Sequence, residues 1–199
     1  MSVMRIISGE LKGRKLKAPT WTGLRPTSDK LRETLFNVIA GRVSGARMID
    51  LYAGTGAIGI EALSRGARHV TFVDDDIRAV RLIEENLRQN GISDRYAIIR
   101  FRLSRRQHPS NLPRSLGAAS FDLVVLDPPY DEPDLAACVA FAEPLVAAGG
   151  LLVLEHARRS PVPEHAGRLV RTRDLISGDS ALAFYESAVN DQEPVTGDR

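Results

Sequence analysis

Asp127-Pro128-Pro129-Tyr130 is the stretch of this chain whose residue types and spacing come closest to naming a chemistry. It follows Phe121-Asp122-Leu123-Val124-Val125-Leu126, an apolar run short enough to be a buried strand of a parallel sheet. Two successive prolines stop a strand and fix the backbone in an extended turn. Such a turn leaves a carboxylate, a rigid carbonyl and an aromatic ring at the carboxyl edge of the sheet, where open α/β folds bind ligands. A pair of acceptors beside a flat ring suits a planar base that carries an exocyclic NH2. A proline turn that merely ends a strand and packs its tyrosine would be written with the same letters.

A second candidate is the loop Asp50-Leu51-Tyr52-Ala53-Gly54-Thr55-Gly56-Ala57-Ile58-Gly59. Glycines here let the backbone turn tightly and approach a ligand, with helix amides pointing at it. Gly54 to Gly59 satisfies G-x-G-x-x-G, and Asp74 follows Gly54 by 20 residues. Those two facts fit a dinucleotide site equally well. Asp50 and the Asp127-Pro128-Pro129-Tyr130 turn break the tie. An acid four residues before the first glycine would repel a pyrophosphate, but it can pair with the ammonium of a methionine moiety.

These residues need a scaffold, and the pattern supplies one. From Ala46 the chain alternates strand and helix: strand 48–52, helix 58–65 stopped by Gly66, strand 70–73, helix 77–89 closed by Asn90-Gly91, strand 96–101. After a weakly patterned stretch, 102–117, come strand 121–126, helix 135–146 and strand 151–155. Such alternation predicts an α/β fold with a mostly parallel sheet and helices on both faces. Segments 168–174 and 181–186, joined through Ser177-Gly178-Asp179, read as a closing antiparallel hairpin. Upstream, 3–17 reads as a basic β-hairpin and 19–26 as a connector holding the only tryptophan, Trp21. Thr27 or Ser28 then caps a helix to about Ala40, ended by Gly41. The expected division is a hairpin and connector at 1–26, one domain at 27–187, and a disordered polar tail at 188–199.

The bulk numbers set limits. At 199 residues, 43% apolar and 26% charged, the chain is an ordinary soluble domain, with no apolar run near a membrane-spanning length and no cleavable signal pattern. A cytoplasmic location is expected. One cysteine, Cys138, excludes an internal disulfide, and four histidines without ligand spacing argue against zinc. The net charge of +2 hides an asymmetry: residues 1–47 carry ten Lys and Arg against three acids, a net of +7, while the remainder carries −5. Charge so placed suggests a face for a polyanion, although a solvated basic surface looks the same.

Taken together, the glycine loop, Asp50, Asp74 and the proline turn resemble S-adenosylmethionine-dependent methyltransferases with a seven-stranded Rossmann-like sheet. In that family the loop holds the amino-acid end of the cofactor, and an acid matching Asp74 takes the ribose hydroxyls. Cofactor contacts are therefore implied at Asp50, Tyr52, Gly54, Thr55, Gly56, Asp74 and Asp75. Asp127-Pro128-Pro129-Tyr130 resembles the catalytic motif of enzymes that methylate adenine N6 or guanine N2. An exocyclic amine is a poor nucleophile because its lone pair is delocalised into the ring. Accepting its two N–H bonds with Asp127 and the Pro128 carbonyl would pull the nitrogen toward tetrahedral geometry. Tyr130 would stack on a flipped base, and no metal is needed.

The amino-terminal pattern is narrower still. Arg5-Ile6-Ile7-Ser8-Gly9, Gly13-Arg14-Lys15-Leu16 and Leu24-Arg25-Pro26-Thr27-Ser28-Asp29-Lys30-Leu31-Arg32-Glu33-Thr34-Leu35-Phe36-Asn37 closely resemble bacterial 16S rRNA guanine-N2 methyltransferases of the RsmD type, which modify guanine 966. Glu61-Ala62-Leu63-Ser64-Arg65-Gly66-Ala67 matches them too. The resemblance implies a guanine of small-subunit rRNA as substrate, met within a partly assembled subunit by a monomeric enzyme. It also implies RNA contacts from Arg5, Lys12, Arg14, Lys15, Arg25, Thr27, Lys30 and Arg32. The chain departs from the family after its third strand. Where an acid or amide is usual it has Arg100-Phe101-Arg102-Leu103-Ser104-Arg105-Arg106, so adenine recognition would rest on backbone groups of Arg102 and Leu103. Open alternatives are an adenine-N6 methyltransferase and a non-catalytic module that docks on pre-ribosomal RNA.

Overall fold

The computed structural model describes residues 4–22, 27–103 and 121–187. Arg25, residues 104–106 with the rest of the weakly patterned stretch, and the 188–199 tail lie outside the described residues. In chain order the elements are α1 (Asp29–Val38), α2 (Ala40–Val43), β1 (Arg47–Leu51), α3 (Ala57–Ser64), β2 (His69–Asp74), α4 (Ile77–Gln89) and β3 (Tyr96–Arg100). They continue with β4 (Phe121–Leu126), α5 (Leu135–Ala142), a 3-10 turn at Glu143–Leu145, β5 (Val146–Ala157), β6 (His165–Ala166), β7 (Leu169–Ser177) and β8 (Ser180–Ser187).

The strands among the described residues form one sheet in the order β3-β2-β1-β4-β5-β8-β7-β6. β1 to β5 are parallel and β8, β7 and β6 antiparallel, as the closing hairpin predicted. There are eight strands rather than seven because the two-residue β6 pairs with β7 at the edge. Apolar layers cover both faces. One joins α1, α3, α4 and the amino-terminal segment, and the other is built around α5.

Several local expectations change. The helix expected over 135–146 stops at Ala142, and β5 already begins at Val146. Ser28 does cap α1, its Oγ accepting the Leu31 amide at 3.2 Å, but Gly41 does not end the helical run. The helical geometry breaks at Ile39, α2 makes a separate turn containing Gly41, and Gly45, at a φ of 77°, follows it. The amino-terminal segment is not a regular hairpin. It makes a single isolated antiparallel bridge, Arg5 with Lys15, with the Ile6, Gly13 and Leu16 amides bonding across the segment to Arg14, Ile6 and Met4 carbonyls, while four other amides bond to helix side chains. The Ile7 and Ser8 amides donate to the Glu61 carboxylate at 2.7 and 2.9 Å, Leu11 to Ser64 Oγ at 3.0 Å, and Lys17 to Asn86 Oδ1 at 2.7 Å. Gly9 lies so close that a Cβ there would sit 1.9 Å from the Ser64 carbonyl oxygen. Covered in this way, α3 is buried on every side.

Strand order reverses at β1, with β2 and β3 to one side and β4 and β5 to the other. Ligands of doubly wound sheets bind over the carboxyl ends of the strands at such a reversal. Val73, Leu51, Leu126 and Leu154 stand in register across four parallel strands. The residues that directly follow these four are Asp74, Tyr52, Asp127 and Glu155, at the carboxyl edge of the sheet.

Candidate active site

A cavity of about 570 Å³ opens over that edge. Asp50, Tyr52, Gly54 and Thr55 line one end, with Asp74 and Asp75 beside them. Asp127, Pro128, Pro129 and Tyr130 line the other, against Glu155 and Ser180. Trp21 and Thr22 of the connector and Thr27 and Ser28, just before α1, complete the lining. The glycine bend and the proline turn thus share one space.

At the glycine end, Asp50 is 1% exposed. Its Oδ2 accepts the Gly59 amide at 3.0 Å, and its Oδ1 has no hydrogen-bond partner. Burial pushes this carboxyl well above the ordinary carboxylate range; the neighbouring Asp127 and Asp74 push the same way, against the Gly59 amide. A buried carboxylate oxygen lacking a donor in a cavity wall calls for a cation, and an ammonium fits it. Asp74 braces the loop instead of standing free, accepting the Gly54 amide at 2.8 Å and the Asp76 amide at 2.9 Å. Burial is the main cause that raises its pKa. Gly56 shapes the turn at a φ of 75° without lining the cavity. Gly59 packs so closely on β2 that a Cβ there would meet the Phe72 ring at 2.2 Å. Tyr52 is held in the left-handed region at a φ of 62°, its hydroxyl 3.5 Å from Cys138 Sγ. Burial and that contact push its phenol up.

The segment after β3 sits apart. Arg102 Nε donates to Asp75 Oδ2 at 2.8 Å and Arg100 Nε to the Asp75 carbonyl at 3.0 Å. Neither Arg102 nor Leu103 lines the main cavity; Leu103 lines a small adjoining pocket with Tyr52, Cys138 and Phe141.

At the other end, Thr27 Oγ1 donates to Asp127 Oδ2 at 2.6 Å. Pro128 is buried while Tyr130 exposes its ring. The Tyr130 hydroxyl donates to Glu155 Oε1 at 3.3 Å and is hydrogen-bonded to Ser180 Oγ. The Trp21 ring, 5.1 Å from the Arg78 guanidinium, lines the same cavity.

Arg5, Lys12, Arg14, Lys15 and Lys30 are exposed. Arg14 is committed in part, donating to the Asn90 carbonyl at 2.7 Å. Arg32 does not belong with them. It is fully buried, donating to Asp29 at 2.8 Å and to the Arg5 carbonyl at 2.6 Å, so no phosphate can reach it. Burial is also the largest influence on its guanidinium, lowering its pKa. The spacing of Arg32, Leu35, Phe36 and Ile39 placed it on the inner helical face, a signal outweighed by its charge. Thr27, expected at the RNA, instead touches Asp127. Glu155 was missed altogether; its signal was an acid ending the apolar run Leu151-Leu152-Val153-Leu154 at a strand's carboxyl end. Among the described residues no group of three His, Cys, Asp or Glu could hold a metal ion, and no helix is long and apolar enough to cross a membrane.

Comparison with known proteins gives a consistent result. The model of the family described as Conserved hypothetical protein 95 matches residues 4–186. The "Putative rRNA methyltransferase YlbH" of Bacillus subtilis is 40% identical over 185 residues, covering 92% of this chain and 98% of that protein. The "Ribosomal RNA small subunit methyltransferase D" of Haemophilus influenzae is 39% identical over 129 residues, 64% of each chain. A solved structure from Escherichia coli, described as "Putative methyltransferase yhhF", superposes with a TM-score of 0.77 at 29% identity, covering 94% of this chain and 98% of that one. The match spans both ends of the cavity and the segment strapped over α3, and the chain belongs to the Conserved hypothetical protein 95 family, the RsmD-type family whose motifs it carries.

Proposed function

We propose that this protein is an S-adenosylmethionine-dependent rRNA methyltransferase acting on 16S rRNA of the small ribosomal subunit, at the exocyclic N2 amine of a guanine. The observation that carries the reading is the shared cavity, with the donor-seeking Asp50 at one end and Asp127-Pro128-Pro129-Tyr130 at the other. Its relatives' names supply the RNA class, and resemblance to the family supplies guanine N2.

When bound, S-adenosylmethionine supplies a methyl group already activated on a sulfonium. Asp50 would hold the ammonium of its methionine end, Gly54 and Thr55 the adjoining backbone, and Asp74 with Asp75 the ribose side. Arg102 and Leu103, which lie off this cavity, are given no contact with the cofactor. At the opposite end Asp127 and the Pro128 carbonyl accept the two amine hydrogens and turn the nitrogen lone pair toward the cofactor end. Tyr130 offers its exposed ring to a flipped base. The amine becomes strongly acidic once methylated, so alignment rather than a strong base is the protein's main contribution. Arg5, Lys12, Lys15 and Lys30, with Arg14 and Arg25, face the RNA backbone. We further propose a monomer that meets its target in a partly assembled subunit in the cytoplasm, using no metal.

The test is Asp127→Ala. Transfer of labelled methyl to small-subunit particles from a strain lacking the enzyme should fall at least about a thousandfold, while calorimetric affinity for S-adenosylmethionine stays within about threefold. Turnover near wild type in that variant refutes the pocket assignment.

A further inference from the structure

We propose that Glu155 reads the Watson–Crick edge of the target base and selects guanine over adenine. The inference rests on the reading above and deepens it. Asp127 and the Pro128 carbonyl can grip any exocyclic amine, so the proline turn alone does not separate guanine N2 from adenine N6. The two bases differ at the ring nitrogen beside that amine. Guanine N1 carries a hydrogen and donates; adenine N1 has a lone pair and accepts. A carboxylate next to the amine grip bonds the first and repels the second.

Glu155 is placed for that role. Leu126 pairs with Leu154, so Asp127, the residue that follows β4, and Glu155 of β5 each come directly after a paired position on adjacent parallel strands, which lie about 4.8 Å apart. Both line the same cavity. Glu155 stays within β5 and is paired with Leu182 of β8, so it stands on a rigid strand rather than a loop. Tyr130, itself bonded to Ser180, donates its hydroxyl to Glu155 and orients the carboxylate from the stacking side. The ring meant to stack on the base and the acid meant to read its edge are therefore one bonded unit.

The experiment uses the full protein with S-adenosylmethionine and two RNA substrates, one with guanine at the target and one with 2-aminopurine. The analogue keeps the 2-amine but presents an unprotonated N1. Wild-type protein should favour guanine in kcat/KM by at least about a hundredfold, since sites built to bond a donor reject analogues lacking it. Glu155→Gln, whose amide can donate to N1, should lose activity on guanine and bring the ratio within about tenfold. Tyr130→Phe, which keeps the ring and removes only the orienting hydroxyl, should also narrow the ratio. It decides the matter alone should Glu155→Gln fail to bind cofactor by calorimetry. Equal use of both substrates by the wild type, or a wild-type ratio in both variants, overturns the role of Glu155 and leaves the methyltransferase reading standing. Absence of transfer to either RNA by the wild type overturns both.

Discussion

Asp50 and Asp127 share one cavity but stand in opposite circumstances. Asp50 is buried with one oxygen lacking a donor, whereas Asp127 holds the Thr27 hydroxyl. Because folding raises the Asp50 pKa, the unfolded chain ionises first as pH rises. The folded state binds the extra proton, so stability is greatest below the unfolded value of about 3.9 and is lost as pH climbs toward the folded one. Asp50→Asn keeps an acceptor for the Gly59 amide and removes that loss. It should stabilise the cofactor-free protein at pH 7 in urea unfolding, with the gain shrinking toward pH 3. Calorimetry should show its affinity for S-adenosylmethionine reduced by at least tenfold, about 1.4 kcal/mol. Thr27 offers a second residue-scale test. Thr27→Val removes one bond to a charged acceptor, so kcat should fall by roughly 10- to 100-fold with KM for RNA little changed, and Thr27→Ser should restore it. A change confined to KM would return Thr27 to the RNA-binding set.

At the scale of elements, the amino-terminal segment completes α3. A helix buried on all sides needs something on its outer face, and the polar residues Glu61 and Ser64 bond the backbone laid there. Glu61→Ala strands two amides and frees Arg65 Nε, which donates to the same carboxylate at 2.7 Å. The expected cost is about 2–4 kcal/mol in chemical denaturation, together with faster proteolysis within residues 4–17. Asn86 makes the contrast. Its side chain accepts the Lys17 amide and donates to the carbonyls of Lys17 and Thr55, joining the segment to the glycine loop. Asn86→Ala should therefore lower cofactor affinity as well as stability, whereas Glu61→Ala should lower stability alone. Equal effects of the two on affinity would break that link.

Across the whole molecule, positive charge is concentrated in residues 1–47, at +7 within a chain of +2. The fold sorts those charges. Arg32 is interior, Arg14 is partly engaged with Asn90, and Lys17 pairs with Glu85, while Lys12 and Lys15 project from the exposed segment. Replacing Lys12 and Lys15 together by glutamate should weaken binding to small-subunit RNA and reduce the slope of log K against log salt by about 1–2 in anisotropy titrations. An unchanged slope removes this segment from the interface.

The sequence by itself determined the parallel alternation, the closing hairpin, the glycine loop and the proline turn. Each is written in local periodicity or in residues, such as Gly54 and Pro128, whose backbone preferences act within a few positions. Strand order, burial and register came only from tertiary structure, because they depend on groups distant in the chain. Arg32 lost its phosphate when the Arg5 carbonyl and Asp29 closed on it, and Thr27 acquired Asp127 from 100 residues away. Glu155 became a neighbour of Asp127 only when β5 paired with β4, since strand pairing joins residues that no sequence period relates.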